Sequence, residues 1–148
     1  MSNALLYRPK NVAVIDDSDA VRRSLTLLLS ARGYAAMGFP SGTEFLSSPQ
    51  KSSFDFILID YKMDDMSGVD VLKQLRGEGI ETPAAMVSGW ETSGLERLAL
   101  EAGFKAFIRK PMLDHMLFSL IGPASPPRNG PKSGEGRASE GSGEKGAA

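Results

Sequence analysis

The sequence predicts an α/β protein, a five-stranded parallel sheet with helices on both faces, followed by a disordered C-terminal tail. Three observations predict it. Short apolar runs alternate strictly with segments of helical periodicity, five times over. The central runs are apolar without interruption, as strands buried on both faces should be. Composition then breaks near residue 122, beyond which there is no Val, Ile, Leu, Met or aromatic residue.

Val12-Ala13-Val14-Ile15 reads as the first strand and ends at Asp16-Asp17. Val21, Leu25, Leu28 and Leu29 then recur at i, i+4, i+7 and i+8, which predicts a helix with Arg22 and Arg23 off its apolar stripe and Gly33 as its stop. A weaker strand covers residues 35–39, and Ser41-Gly42-Thr43-Glu44 forms a capping box that opens a short helix. Phe54-Asp55-Phe56-Ile57-Leu58-Ile59 is the clearest strand and ends at Asp60. Val69, Leu72 and Leu75 mark the next helix, which stops near Gly77 and Gly79.

Residues 83–87 form the fourth strand, ending at Ser88-Gly89. Ser93-x-x-Glu96 is a second capping box, ahead of a helix that carries Leu95, Leu98 and Ala102 and stops at Gly103. Residues 105–109 form the fifth strand and run into Lys110-Pro111. A last helix bears Met112, Leu113, Met116, Leu117 and Leu120, with Phe118 off the stripe and exposed.

The boundaries follow. Residues 1–10 are an N-terminal extension, 11–121 the folded domain and 122–148 a tail with 7 Gly, 4 Pro and 4 Ser among its 27 residues. Such a tail cannot bury enough apolar surface to offset the entropy of ordering. The whole chain has 17 basic and 18 acidic residues, a formal net charge of −1, which argues against direct binding of nucleic acid or a membrane surface. With no cysteine and the single histidine His115, disulfides, thiolate zinc sites, cysteine nucleophiles and multi-histidine metal sites are excluded. No apolar run reaches the roughly 18 residues of a membrane span, and residues 1–10 lack a signal-peptide pattern. The simplest expectation is a soluble cytoplasmic protein.

In sheets of this kind, ligands bind beyond the carboxyl ends of the strands. Those ends read Asp16-Asp17, Asp60, Ser88 and Lys110. Singly, each has an ordinary explanation as a helix cap, a loop hydrogen bond or a solvated charge. Jointly they do not, because three carboxylates at one edge repel one another unless a cation neutralises them. Hard oxygens without His or Cys suit Mg²⁺. A carboxylate is also a competent nucleophile for phosphoryl transfer, with Mg²⁺, Lys110 and the Ser88 hydroxyl placed to stabilise the equatorial oxygens.

Val14-Ile15-Asp16-Asp17, Leu58-Ile59-Asp60 with Met63 and Gly68, Val87-Ser88-Gly89 and Phe107-x-x-Lys110-Pro111 together resemble the response-regulator receiver domain of two-component signalling. The spacings are 43 residues from Asp17 to Asp60, 28 to Ser88 and 22 to Lys110. Val21-Arg22-Arg23-Ser24-Leu25 and Met66-Ser67-Gly68 look closest to the FixJ-type subgroup. The resemblance implies a flavodoxin-like (βα)5 fold and a phosphorylation-dependent switch. Asp60 matches the phosphoacceptor, supplied by a histidine kinase or histidine phosphotransfer protein. Asp16 and Asp17 match the acidic pair that holds Mg²⁺ with Asp60, and the backbone carbonyl of Lys62 matches the remaining ligand. Ser88 and Lys110 match the residues that engage the phosphoryl group, and Phe107 matches the switch aromatic that turns inward when Ser88 moves. The Lys110-Pro111 bond is expected to be cis, as in the family.

Two features depart from the pattern or vary within it. Asp64, followed by Asp65, stands after Met63 where the family usually has proline, which should loosen that loop. Lys62 and Trp90 occupy the positions that tune dephosphorylation, Lys62 by pairing with the phosphoryl oxygens and Trp90 by shielding them from water. The readout surface implied is the fourth helix, fifth strand and last helix, contacting an effector protein or a second copy.

Other readings stay open from sequence. The chain is either a receiver acting alone or the receiver fragment of a DNA-binding transcriptional regulator. A Mg²⁺-dependent aspartate-based phosphohydrolase would want an acid at the position of Lys62 and a substrate-capping insertion. A degenerate receiver would not keep Asp60, Ser88 and Lys110 together.

Overall fold

A computed structural model of the chain describes residues 9–89, 94–110 and 114–124. Strands β1 (Asn11–Ile15), β2 (Ala35–Phe39), β3 (Phe56–Asp60), β4 (Ala84–Ser88) and β5 (Ala106–Arg109) alternate with helices α1 (Asp19–Ala31), α2 (Gly42–Ser47), α3 (Gly68–Gly77), α4 (Leu95–Ala102) and α5 (Asp114–Ile121). All neighbouring strands pair in parallel, in the order β2-β1-β3-β4-β5. The order reverses at β1, which has β2 on one side and β3 on the other. That reversal opens a crevice at the carboxyl ends of β1 and β3. The register there pairs Ile15 with Ile59, so Asp16 and Asp60 follow on adjacent strands.

Side chains alternate across the sheet, and each face has its own core. Ala13, Ile15, Ile57 and Ile59 point to the face covered by α2, α3 and α4, against Phe45, Leu72 and Ala99 among others. Val12, Val14, Leu58 and Val87 point to the face covered by α1 and α5, against Leu25, Leu29, Leu117 and Ile121. The Ser41 hydroxyl accepts from the Glu44 N–H at 3.0 Å, the α2 cap that the sequence predicts. At α3, Ser67 and Asp70 form a reciprocal capping box.

Two helices differ from expectation in which residues they bury. α4 opens at Gly94, in a left-handed conformation with no side-chain cap bond, and Ser93 lies outside the described residues. Leu95 and Ala99, four apart, face the core, which turns Leu98 outward to 45% exposure. On α5 the buried pair is Leu117 and Ile121, again four apart, and Met116 is turned outward to 49% exposure. Phe118 is half-buried rather than exposed: it stacks on Tyr34 at 5.8 Å, with the Arg32 guanidinium 4.5 Å from its ring centre. Met112 and Leu113 lie outside the described residues.

The two ends of the domain are fastened together. Lys10 Nζ donates to the Ile121 carbonyl at 2.8 Å, satisfying one of the orphan acceptors at the end of α5. The Lys10 N–H donates to the Ala124 carbonyl and the Tyr34 hydroxyl to the Gly122 carbonyl. Residues 122–124 therefore lie against the segment that leads into β1. The rest of the tail is outside the described residues.

Candidate functional site

Four of the five strands end in the residues that the sequence places there. Asp16 follows β1 and is 2% exposed, Asp60 closes β3 with its side chain 11% exposed, and Ser88 closes β4 and is 1% exposed. Lys110 follows β5, and its N–H donates to the Ser88 carbonyl at 2.9 Å, carrying the strand pairing one step past Arg109. Carboxylate oxygens of Asp16, Asp17 and Asp60 lie within 4.8 Å of one another. Lys110 Nζ is 3.1 Å from Asp16 Oδ2 and 3.6 Å from Asp60 Oδ1.

Asp16 is fixed from several directions. Its N–H donates to the Phe39 carbonyl at 3.1 Å, its Oδ1 accepts from the Ser18 N–H at 2.9 Å, and its carbonyl accepts from Arg22 Nη1 at 2.7 Å. Asp60 is set by β3 and by the close approach of α3. A Cβ on Gly68 would lie 2.6 Å from the Asp60 carbonyl oxygen, so only glycine lets the helix start there. Burial, reinforced by the charges of Asp16 and Asp17 and opposed by Lys110, pushes the Asp60 carboxyl up to about 6.

A cleft of about 370 Å³ opens over this group, lined by Asp17, Asp60, Lys62, Asp64, Gly89 and Lys110. Lys62 is exposed at its rim. Phe107 is half-buried against the α2–α4 core, with the Arg109 guanidinium 5.8 Å from its ring centre. Trp90, the expected shield, and Pro111, of the expected cis bond, lie outside the described residues. His115 is exposed on α5.

One contact was not foreseen. Asp65, in the loop after Asp60, accepts from the N–H of Thr43 at 2.7 Å and from its hydroxyl at 2.6 Å. Desolvation pushes the Asp65 carboxyl up, but the two bonds from Thr43, joined by the backbone N–H groups of Met66 and of Asp65 itself, together hold it below the usual range. The loop that lacks the family's proline is thus tied to the start of α2. No local signal marks a pair 22 residues apart.

The donor set suits a hard divalent cation. It offers three carboxylates, two of them largely withdrawn from water, and neither nitrogen nor sulfur. Chemically, the cluster can bind such a cation and present Asp60 as a nucleophile beside the Lys110 ammonium.

Comparison with known proteins gives the family and the fold. The model of the response regulator receiver domain family matches residues 12–121. The transcriptional regulatory protein FixJ of Rhizobium meliloti is 32% identical over 114 residues, covering 77% of this chain and 56% of FixJ. KdpE of Mycobacterium tuberculosis is 34% identical over 110 residues, covering 74% of this chain and 48% of KdpE. The chain therefore spans about half the length of these curated relatives. The chemotaxis protein CheY4 of Vibrio cholerae superposes with a TM-score of 0.71 at 25% identity, covering 77% of this chain and 97% of CheY4. Among the described residues, no helix is long and apolar enough to cross a membrane.

Proposed function

The chain belongs to the response regulator receiver domain family, and from that premise we propose that Asp60 is its phosphoacceptor. Receiver domains of two-component systems are signalling switches. The observation that carries the assignment is the meeting of Asp16, Asp17 and Asp60 within 4.8 Å, with the Lys110 ammonium 3.6 Å from Asp60.

In the proposed transfer, an Asp60 carboxylate oxygen attacks the phosphorus of a phosphohistidine. A P–O bond to Asp60 forms, the P–N bond breaks, and the imidazole leaves with its electron pair and takes up a proton. Asp16, Asp17, Asp60 and the Lys62 backbone carbonyl would hold Mg²⁺, which when bound supplies positive charge to the phosphoryl oxygens. Lys110 exchanges its contact with Asp16 for the new phosphoryl oxygens, and Ser88 donates its hydroxyl to another. Phe107 then moves into the space that Ser88 leaves. Lys62 and Trp90 tune the loss of the phosphoryl group. The donor is a histidine kinase or phosphotransfer protein, and the receiving surface is built on α4, β5 and α5 for an effector protein or a second copy. The reaction is stoichiometric, with no turnover of a substrate. Residues 11–121 constitute the switch.

The test is Mg²⁺-dependent labelling with acetyl phosphate, read by mass spectrometry of the intact chain. One phosphoryl group per chain is expected, with none on Asp60→Asn. Labelling that survives in that variant, or continuous hydrolysis of a small phosphomonoester, overturns the reading.

A further inference from the structure

Of the three carboxylates, Asp17 is the one without an anchor of its own. It is exposed, and among the described residues no hydrogen bond reaches its carboxylate. Its direction is therefore inherited from the backbone, which means from the peptide that joins it to Asp16. The carbonyl of that peptide is held by one side chain, Arg22, whose Nη1 donates to it at 2.7 Å. The other guanidinium nitrogen, Nη2, is paired with the Asp19 carboxylate at the start of α1. The planar fork thus spans the β1–α1 loop from end to end, a task suited to arginine and not to a point charge. The Arg22 side chain is only 19% exposed while that of Asp19 is 74% exposed, so the bond to the Asp16 carbonyl is the sheltered arm of the fork and the Asp19 pair the solvated one.

A second feature serves the same contact. Gly38 sits within β2, where glycine weakens a strand and commonly marks the close approach of another group. Here that group is the Arg22 stem. A Cβ on Gly38 would lie 2.8 Å from Arg22 Cγ and 2.9 Å from Cδ. The stem crosses the edge of the sheet through the gap that the missing side chain leaves, and the guanidinium reaches the Asp16 carbonyl from there.

We propose that Arg22 is a positioning residue for the acidic pair, that Gly38 provides its channel, and that together they aim the Asp17 carboxylate at the cation site. This rests on the receiver reading only for the identity of the cation. The claim about the backbone stands apart from it.

Two variants separate placement from charge. Arg22→Lys keeps the positive charge and loses the fork; Gly38→Ala keeps Arg22 and blocks its path. Each is examined without metal by nuclear magnetic resonance of the Asp16 carbonyl carbon and Asp17 amide, then titrated with Mg²⁺ by calorimetry. Both variants are expected to move the two backbone signals and to weaken Mg²⁺ binding about tenfold. The double variant should be no worse than either single one, because both remove the same contact. Unmoved backbone signals, or Mg²⁺ affinity unchanged in both variants, overturn the proposal, and so do effects that multiply in the double variant. If the parent chain itself binds no Mg²⁺, the receiver reading fails instead, and the backbone signals alone decide the positioning claim.

Discussion

Lys110 is bonded to Asp16, with Nζ 3.1 Å from Oδ2, and stands somewhat farther from Asp60, at 3.6 Å. The ammonium is therefore a counter-ion for the acidic cluster as well as a group within reach of Asp60, the proposed phosphoacceptor. These two tasks compete, and a divalent cation at the cluster would release Lys110 for the second.

It follows that Lys110→Met should cost stability most when no metal is present. Three carboxylates then lose their internal cation, and the loss should be about 1–3 kcal/mol in chelator. Millimolar Mg²⁺ should restore most of it. Urea unfolding of both proteins with and without Mg²⁺ checks this, and an equal deficit in the two buffers would count against the counter-ion role.

Asp60 makes stability depend on pH. Its folded-state value, about 6, lies above the ordinary carboxyl value of 3.8. A carboxyl shifted this way stabilises the fold while protonated, and that contribution fades as pH rises from about 4 to about 6. Asp60→Asn should therefore raise Tm by several degrees in metal-free buffer near neutral pH, and by much less near pH 4. Thermal unfolding at the two pH values measures the difference; the same gain at both would show that the charge of Asp60 is not the cause.

Asp65 behaves in the opposite sense. Desolvation raises its folded value, but hydrogen bonds led by those from Thr43 outweigh it and leave the value depressed, so its contribution is present above the ordinary carboxyl range and is lost as pH falls through it. Both residues are exposed, and Thr43→Val should cost under about 1 kcal/mol globally. Locally the effect should be larger, with faster amide exchange over the loop after Asp60. Hydrogen exchange of the variant against the parent checks this, and unchanged protection there would show that the bonds do not restrain the loop.

Two glycines of α3 predict opposite outcomes for the same substitution. Gly68→Ala drives a methyl into the Asp60 carbonyl oxygen, 2.6 Å away, and should destabilise by about 1–3 kcal/mol. Gly77→Ala meets nothing within 4 Å, at the end of the same helix. It should stabilise by about 0.5–1 kcal/mol, because alanine has less backbone freedom to lose. Denaturant midpoints of the pair provide the comparison.

The strand ends were legible because a parallel sheet writes itself as apolar runs, and the residue after each run must lie at one edge. Asp16, Asp17, Asp60, Ser88 and Lys110 were readable for that reason. The short helices were less so. Met116 and Leu98 fit a plausible stripe, yet in α4 and α5 rotation is decided by the pairs Leu95 with Ala99 and Leu117 with Ile121, which fit the sheet better. Phe118 is covered by Tyr34 and Arg32, residues distant in sequence, and no periodicity reveals that. The same holds for Arg22 over Gly38 and Thr43 on Asp65, whose partners meet only once the chain is folded.

The fastening of Ala124 to Lys10 has a consequence for signalling. Lys10 precedes β1, whereas Asp60 concludes β3, and in a parallel sheet these are opposite poles, about 16 Å apart for a five-residue strand. The polypeptide beyond Ala124 sets out from the pole remote from the acidic cluster. A phosphoryl group on Asp60, as proposed, would therefore not touch the chain where it leaves the domain at Ala124, and a signal from Asp60 to that point would have to pass through the body of the domain.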